Sequence, residues 1–226
     1  MFRIVILFFA FCCIAELSNA TPLNKWEISC GVDKGSIKKK GKTWTFTTSS
    51  NKCTGGTFSQ RAEINSKSVD PNTKGTYVFS TMVSMKSERN EPFDIFQMHD
   101  GRNGCAPPLK VTVLKNNRFK LDADYKTGPG ESCVRDVFSQ RPTSVTFKRD
   151  GSPQKLQVVV QFLGSSQFNV QVALDGKLAA QGSYTPPEGD GYFKSKKFYF
   201  KHGVYSKNTF QYKLVSEGMT VKRARK

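Results

Sequence analysis

Histidine is almost missing from this chain: its 226 residues include two, His99 and His202. Acidic side chains are also scarce, 18 Asp and Glu against 35 Lys and Arg, for a formal net charge of +17. No apolar run beyond the N-terminal stretch approaches the roughly 20 residues that a membrane-crossing helix requires. No stretch keeps apolar residues at helical spacing for more than about two turns, so a helical bundle is not expected. The cysteines form no CxxC pair and have no histidine nearby, which argues against zinc. Internal repeats and Pro- or Ser-rich linkers are absent as well.

At the N-terminus, Met1–Ala20 carries one basic residue (Arg3), an apolar run from Ile4 to Ala15, and Ser18-Asn19-Ala20 before Thr21. Small residues in that position mark a cleavable secretory signal peptide. Export is therefore expected, leaving residues 21–226 as one domain. Cys12 and Cys13 depart with the signal, and Cys30, Cys53, Cys105 and Cys133 remain. An even number in an exported chain implies two disulfides. Three pairings are open; Cys30–Cys53 with Cys105–Cys133 is the expectation, because each closes a short local loop.

What is present reads as strand after strand. Tyr77–Met85, Pro108–Leu114, Ser144–Lys148, Leu156–Leu163 and Phe168–Leu174 are rich in β-branched and aromatic residues, as are Phe198–Tyr205 and Thr209–Leu214. Asp175-Gly176 is a two-residue hairpin signal. Gly128-Pro129-Gly130 and the segment 186–191 read as surface loops, and Lys222–Lys226 as a solvated basic tail. The predicted fold class is all-β, a jelly-roll sandwich of two antiparallel sheets with one concave, solvent-lined face that could receive a long polymer.

Side chains alternate across a strand, so residues i and i+2 share a face. Arg61 and Glu63 then face away from Ala62 and Ile64, and Gln97 and His99 away from Phe96 and Met98. Near the C-terminus Lys197, Tyr199, Lys201, Gly203, Tyr205 and Lys207 line one face, while Phe198, Phe200, His202 and Val204 line the other. His202 thus reads as a core imidazole. Taken singly, an Arg–Glu pair is ordinary on a surface, and a lone tyrosine is a good strand former.

In combination and in order, Arg61-Ala62-Glu63-Ile64, Gln97-Met98-His99 and Tyr199-Phe200-Lys201-His202-Gly203-Val204-Tyr205 resemble the alginate lyase superfamily. That superfamily includes polysaccharide lyase family 7 and the family 20 glucuronan lyases. Its strands carry Arg-x-Glu-Leu, Gln-x-His and Tyr-Phe-Lys-x-Gly-x-Tyr. The likeness runs from about Lys25 to Leu214. It departs at Asn65, where the family usually has a second arginine, at Lys207, often glutamine, and at His202, usually a small residue; these positions bear on substrate identity.

The resemblance implies β-elimination on a 4-linked polyuronate of glucuronan or alginate type. Arg61, Gln97, His99 and Tyr205 match the catalytic residues. Glu63, Lys197, Tyr199, Lys201 and Lys207 are expected at substrate subsites. Arg61 and Gln97 would neutralise the uronate carboxylate, and His99 or Tyr205 would take the C5 proton. Tyr205, supported by Lys201, would protonate the leaving O4. No cofactor is required, and related glucuronan lyases can hold a structural calcium, for which Asp94, Asp100 and Asp122 lie scattered in sequence. The expected partner is an acidic polysaccharide, which suits the basic surplus through field steering and counterion release; nucleic acid and membrane are not expected partners, and a monomer is. Two alternatives stand beside this reading. One is a non-catalytic acidic-polysaccharide-binding jelly roll, since fold does not fix function. The other is a cationic protein of nucleic acid or anionic membranes, which the lack of a stacking platform or amphipathic helix disfavours.

Overall fold

Alternation decides which side chains meet between the sheets. The computed structural model describes residues 21–127, 133–136, 138, 143–189 and 191–224. The expected signal peptide (residues 1–20), Gly128-Pro129-Gly130, Asp190 and the final Arg225 and Lys226 lie outside the described residues. One seven-stranded sheet runs in the order β1 (Trp26–Ile28), β4 (Gln60–Ser66), β13 (Tyr199–Ser206), β6 (Phe93–His99), β7 (Leu109–Val113), β8 (Phe119–Lys126) and β9 (Cys133–Asp136). The other runs β12 (Lys177–Tyr184), β11 (Gln167–Leu174), β10 (Gln154–Gly164), β5 (Lys74–Ser87), β14 (Tyr212–Arg223), β3 (Thr43–Thr47) and β2 (Ile37–Lys40). Pairing is antiparallel between all neighbours. The predicted all-β jelly-roll sandwich is what the chain forms.

The second sheet keeps the simple half-buried pattern. Along β10, Leu156, Val158, Val160 and Phe162 are buried, while Lys155 before them and Gln161 among them are exposed. Phe79, Val83 and Met85 of β5 and Leu214 of β14 face the same core. Asp175 and Gly176 close the β11–β12 hairpin with φ of 51° and 76°, the doubly positive pair that a tight hairpin turn requires.

The first sheet behaves differently. Ala62, Ile64, Phe96, Met98, Val111, Leu121, Phe200 and Val204 point into the core, but the residues between them are buried too. The solvent-lined face changes only in detail: the polar side chains of its central strands are mostly buried against one another and against the flanking segments. Lys196 N–H donates to Asp100 O at 3.0 Å and Phe193 N–H to Lys126 O at 3.0 Å, tying the segment before β13 across the ends of β6 and β8.

Two further expectations change in detail. Ser144–Lys148 makes no strand, because a side chain takes the place of a ladder partner: Gln154 Nε2 donates to Thr146 O (3.3 Å), and Gln154 Oε1 accepts from Lys148 N–H (2.6 Å). Thr209–Leu214 becomes a strand only from Tyr212 and continues to Arg223. The disulfides are Cys30–Cys53 and Cys105–Cys133, the local pairing that was expected. No described helix is long and apolar enough to cross a membrane.

His202 sits fully buried between the sheets, as its place on the core face predicted. Its Nδ1 bonds Ile95 O at 2.9 Å and its Nε2 bonds Ser216 Oγ at 2.7 Å. A carbonyl only accepts, so Nδ1 carries the hydrogen and Nε2 accepts from the serine. Burial lowers its pKa to about 4, opposed by the Ile95 bond. A histidine that the fold holds neutral binds fewer protons folded than unfolded, so stability falls as pH drops from about 6.5 towards 4. The stability advantage of the native chain over a His202→Gln variant should therefore shrink across that window, by at most about 3 kcal/mol, in parallel urea titrations; an advantage constant with pH would refute this.

Candidate active site

Three adjacent strands carry the candidate residues on the face away from the core. The register sets Tyr205 opposite Arg61 and Gly203 opposite Glu63 across β13–β4. On the other side of β13, Lys201 lies opposite Gln97 and Tyr199 opposite His99. Sites 61, 97, 99 and 205, far apart in sequence, thus share one polar face. Gly203 makes this approach possible: its φ is +142°, and a Cβ there would fall 2.2 Å from Ala62 O.

The side chains form a linked cluster around Glu63, which is 1% exposed. Gln97 Nε2 donates to Glu63 Oε1 at 2.7 Å. Gln97 Oε1 in turn accepts from His99 Nε2 at 2.9 Å. Arg61 Nε and Lys201 Nζ flank the other carboxylate oxygen at 3.6 and 3.8 Å. Arg61 is 6% exposed, Lys201 6% and Gln97 1%. Glu63, expected at a substrate subsite, is turned instead towards its protein neighbours.

Tyr205, 9% exposed, joins this cluster through Arg61, whose guanidinium carbon lies 4.6 Å from the phenol ring centroid. Its other face stacks on Phe58 with centroids 4.8 Å apart. The phenol oxygen accepts N–H bonds from Thr57 and Phe58, both at 3.1 Å. The loop making those bonds follows Cys53, and Cys30 Sγ lies 3.8 Å from Arg61 Nη1, so the Cys30–Cys53 disulfide braces the phenol and the guanidinium together.

Electrostatics follow from burial among cations. Desolvation, then the charges of Lys201, Arg61 and Arg102, hold His99 well below the usual imidazole range, so its ring is neutral at neutral pH. Burial, aided by Arg61 and opposed by Glu63, lowers Lys201. Tyr199 is raised by burial and then by the Glu63 charge; its ring stacks on His99 at 5.4 Å.

Asp94, considered from sequence only as a scattered calcium ligand, also belongs to this face. Strict alternation would put positions 94 and 97 on opposite sides, but the register of β6 against β7 shifts between Asp94 and Phe96. Asp94 Oδ1 accepts from Thr112 Oγ1 at 2.5 Å while Oδ2 has no hydrogen bond, and burial, opposed by Lys110, pushes the carboxyl up to about 7. Lys110 and Asp122 extend the polar face, 3.4 Å apart. Alternation alone does not place these residues here, because the bulge is invisible in sequence.

The remaining candidates lie outward. Lys197 and Lys207 are exposed and lie just outside β13; Lys197 Nζ is 5.5 Å from the Tyr199 ring centroid. Among the described residues no group of three His, Cys, Asp or Glu side chains is arranged to hold a metal ion, and Asp100 is engaged by Arg102 at 2.6 Å. Two surface depressions, one around Lys38, Thr45 and Lys213 and one around Trp26, Lys42 and Trp44, involve the second sheet and are lined by no carboxylate or imidazole.

No protein-family model and no curated protein sequence matches the chain. Solved structures do. An alginate lyase of polysaccharide lyase family 7, AlgAT5, superposes with a TM-score of 0.55 at 13% identity, over 90% of this chain and 96% of that one. Alginate lyase A1-II', also of family 7, gives 0.55 at 16% identity over 90% and 96%. An endo-β-1,4-glucuronan lyase from Trichoderma reesei gives 0.54 at 13% over 89% of each chain. The fold is the one these lyases share. At such identities the likeness establishes architecture, and chemistry has to be argued from the side chains.

Gly203→Ala would force β13 away from β4 and part Tyr205 from Arg61. Strained backbone of this kind costs roughly 1–3 kcal/mol before the clash is counted, so a fall in Tm of at least about 4 °C is expected by calorimetry. An unchanged Tm would refute the close-approach argument.

Proposed function

We propose that this chain is an exported polysaccharide lyase that cuts an anionic 4-linked polyuronate of glucuronan or alginate type by β-elimination. The observation that carries the reading is the convergence of Arg61, Gln97, His99 and Tyr205 on one face of adjacent strands, in a fold otherwise seen in alginate and glucuronan lyases. The expected leader at residues 1–20 and the two disulfides suit export.

The reaction removes the C5 proton of a uronate; the C–H electrons become the C4=C5 double bond, the C4–O4 bond breaks, and O4 leaves with a proton. The C5 proton is weakly acidic because the adjacent carboxylate is already charged. Arg61, fixed by Glu63 on one side and Tyr205 on the other, offers a forked guanidinium to that carboxylate. Gln97 has one amide hydrogen on Glu63 and a second to give. Neutral His99 can accept a proton, and Tyr205 stands beside Arg61 as the acid for O4. Two backbone N–H groups point at the phenol oxygen, and those two bonds strengthen once the oxygen is charged. Tyr205 could equally take and return the proton in a syn elimination.

The charge surplus serves the polymer. Lys194, Lys196 and Lys197 are exposed on the segment that Asp100 O ties beside β6, next to His99. Carboxylates flanking the cleaved link would meet them, and binding should weaken with salt.

The purified mature chain, incubated with polyglucuronate, polymannuronate and polyguluronate, should generate ultraviolet-absorbing unsaturated ends on at least one of them. Tyr205→Phe should abolish that signal and retain polymer binding, and Arg61→Lys should lower turnover by at least about 100-fold, the scale of losing one charge-stabilising group. Polymer binding without any unsaturated product would favour the binding-module alternative. Affinity for nucleic acid or anionic vesicles that equals affinity for polyuronate would favour the general cationic one.

A further inference from the structure

Glu63 is a carboxylate with almost no water, and what it does to Gln97 reaches further than packing. A primary amide has one end that donates and one that accepts, and a carboxylate only accepts. Gln97 therefore has to present its nitrogen to Glu63, as the 2.7 Å contact records. Turned the other way, it would set two oxygens against each other where both residues are 1% exposed, and an unmatched buried polar group is costly. The carbonyl end is thereby pointed at His99 Nε2, 2.9 Å away. A carbonyl cannot donate, so the hydrogen between them belongs to the ring. Because burial, Lys201, Arg61 and Arg102 keep the ring neutral, it has one N–H, and Nδ1 is left with its lone pair. Among the described residues Nδ1 has no hydrogen-bond partner and is not one of the sealed, unpaired buried atoms.

We infer that Glu63 is a positioning residue that fixes the tautomer of His99: through Gln97 it places the ring hydrogen on Nε2 and leaves Nδ1 as the proton acceptor. The functional consequence, and only that, rests on the lyase reading. The base that takes the C5 proton is then Nδ1, the hydrogen acquired there makes an imidazolium, and the Gln97 carbonyl already faces its second N–H. Arg61 and Lys201 flank the other oxygen of the same carboxylate.

The chain supplies its own reference, since it has two histidines and the buried one is wired the opposite way, with its hydrogen on Nδ1 towards Ile95 O. Untagged protein labelled with nitrogen-15 in histidine, examined by long-range proton–nitrogen correlation above pH 7, should show one ring of each tautomer. His99→Gln should remove the ring protonated on Nε2. Glu63→Gln, which keeps the shape and can offer Gln97 either end of an amide, should redistribute the His99 hydrogen over both nitrogens and leave His202 unchanged. A native His99 protonated on Nδ1, or a tautomer indifferent to Glu63→Gln, would overturn the assignment. The native spectrum decides even if the variant fails to fold, and it needs no substrate, so a failure of the lyase reading would not be mistaken for a failure of this one. Where turnover is measurable, Glu63→Gln should lower kcat about 10–100-fold, the range for outer partners that orient an imidazole, with KM nearly unchanged; a change confined to KM would instead make Glu63 a substrate ligand and overturn the positioning role.

Discussion

A carboxylate sealed from water has to be matched where it sits, and Glu63 is matched by three strands at once. Its own strand β4 supplies Arg61, the neighbouring β13 supplies Lys201, and β6, beyond it, supplies Gln97. Removing any of these would leave charge or a polar atom stranded in a place of low dielectric, which is far more expensive than losing a surface pair. The requirement therefore ties strand register to side-chain orientation. A slip of one residue in β4 or β13 would turn Arg61 or Lys201 into the apolar core. The same carboxylate that makes the cluster costly to assemble makes its geometry hard to alter.

This explains why the two sheets differ. The second sheet needs only one apolar face, and its other side can carry lysines and glutamines into solvent. The first sheet faces the core with one side and carries a buried polar layer on the other, where Asp94, Lys110, Thr112 and Asp122 continue the row that begins with Arg61 and Glu63. Buried ionisable groups are seldom the cheapest way to stabilise a sheet. Their concentration here leaves His99 and Asp94 both displaced from their ordinary protonation ranges.

Much of the architecture was legible because it rests on period-two patterning. Leu156–Leu163, Phe168–Leu174 and the Asp175-Gly176 turn are found where alternation and turn chemistry put them. The core role of His202 followed from the same parity rule. Ser144–Lys148 misled because its composition is strand-like, while Gln154, further along the chain, satisfies its backbone from the side. At the site, parity correctly put Arg61, Gln97, His99 and Tyr205 on one face. It could not reveal how deeply those side chains are buried, nor that Asp94 joins them, since a register shift breaks the count at Ile95. The role of Glu63 was hidden for a related reason: which atom an amide turns towards depends on neighbours from strands far apart in sequence.

The phenol oxygen of Tyr205 is held by main-chain N–H groups at positions 57 and 58. Every amino acid but proline carries such a group. These two bonds therefore depend on the shape of the loop and not on its spelling at those positions, and comparing sequences letter by letter would overlook them.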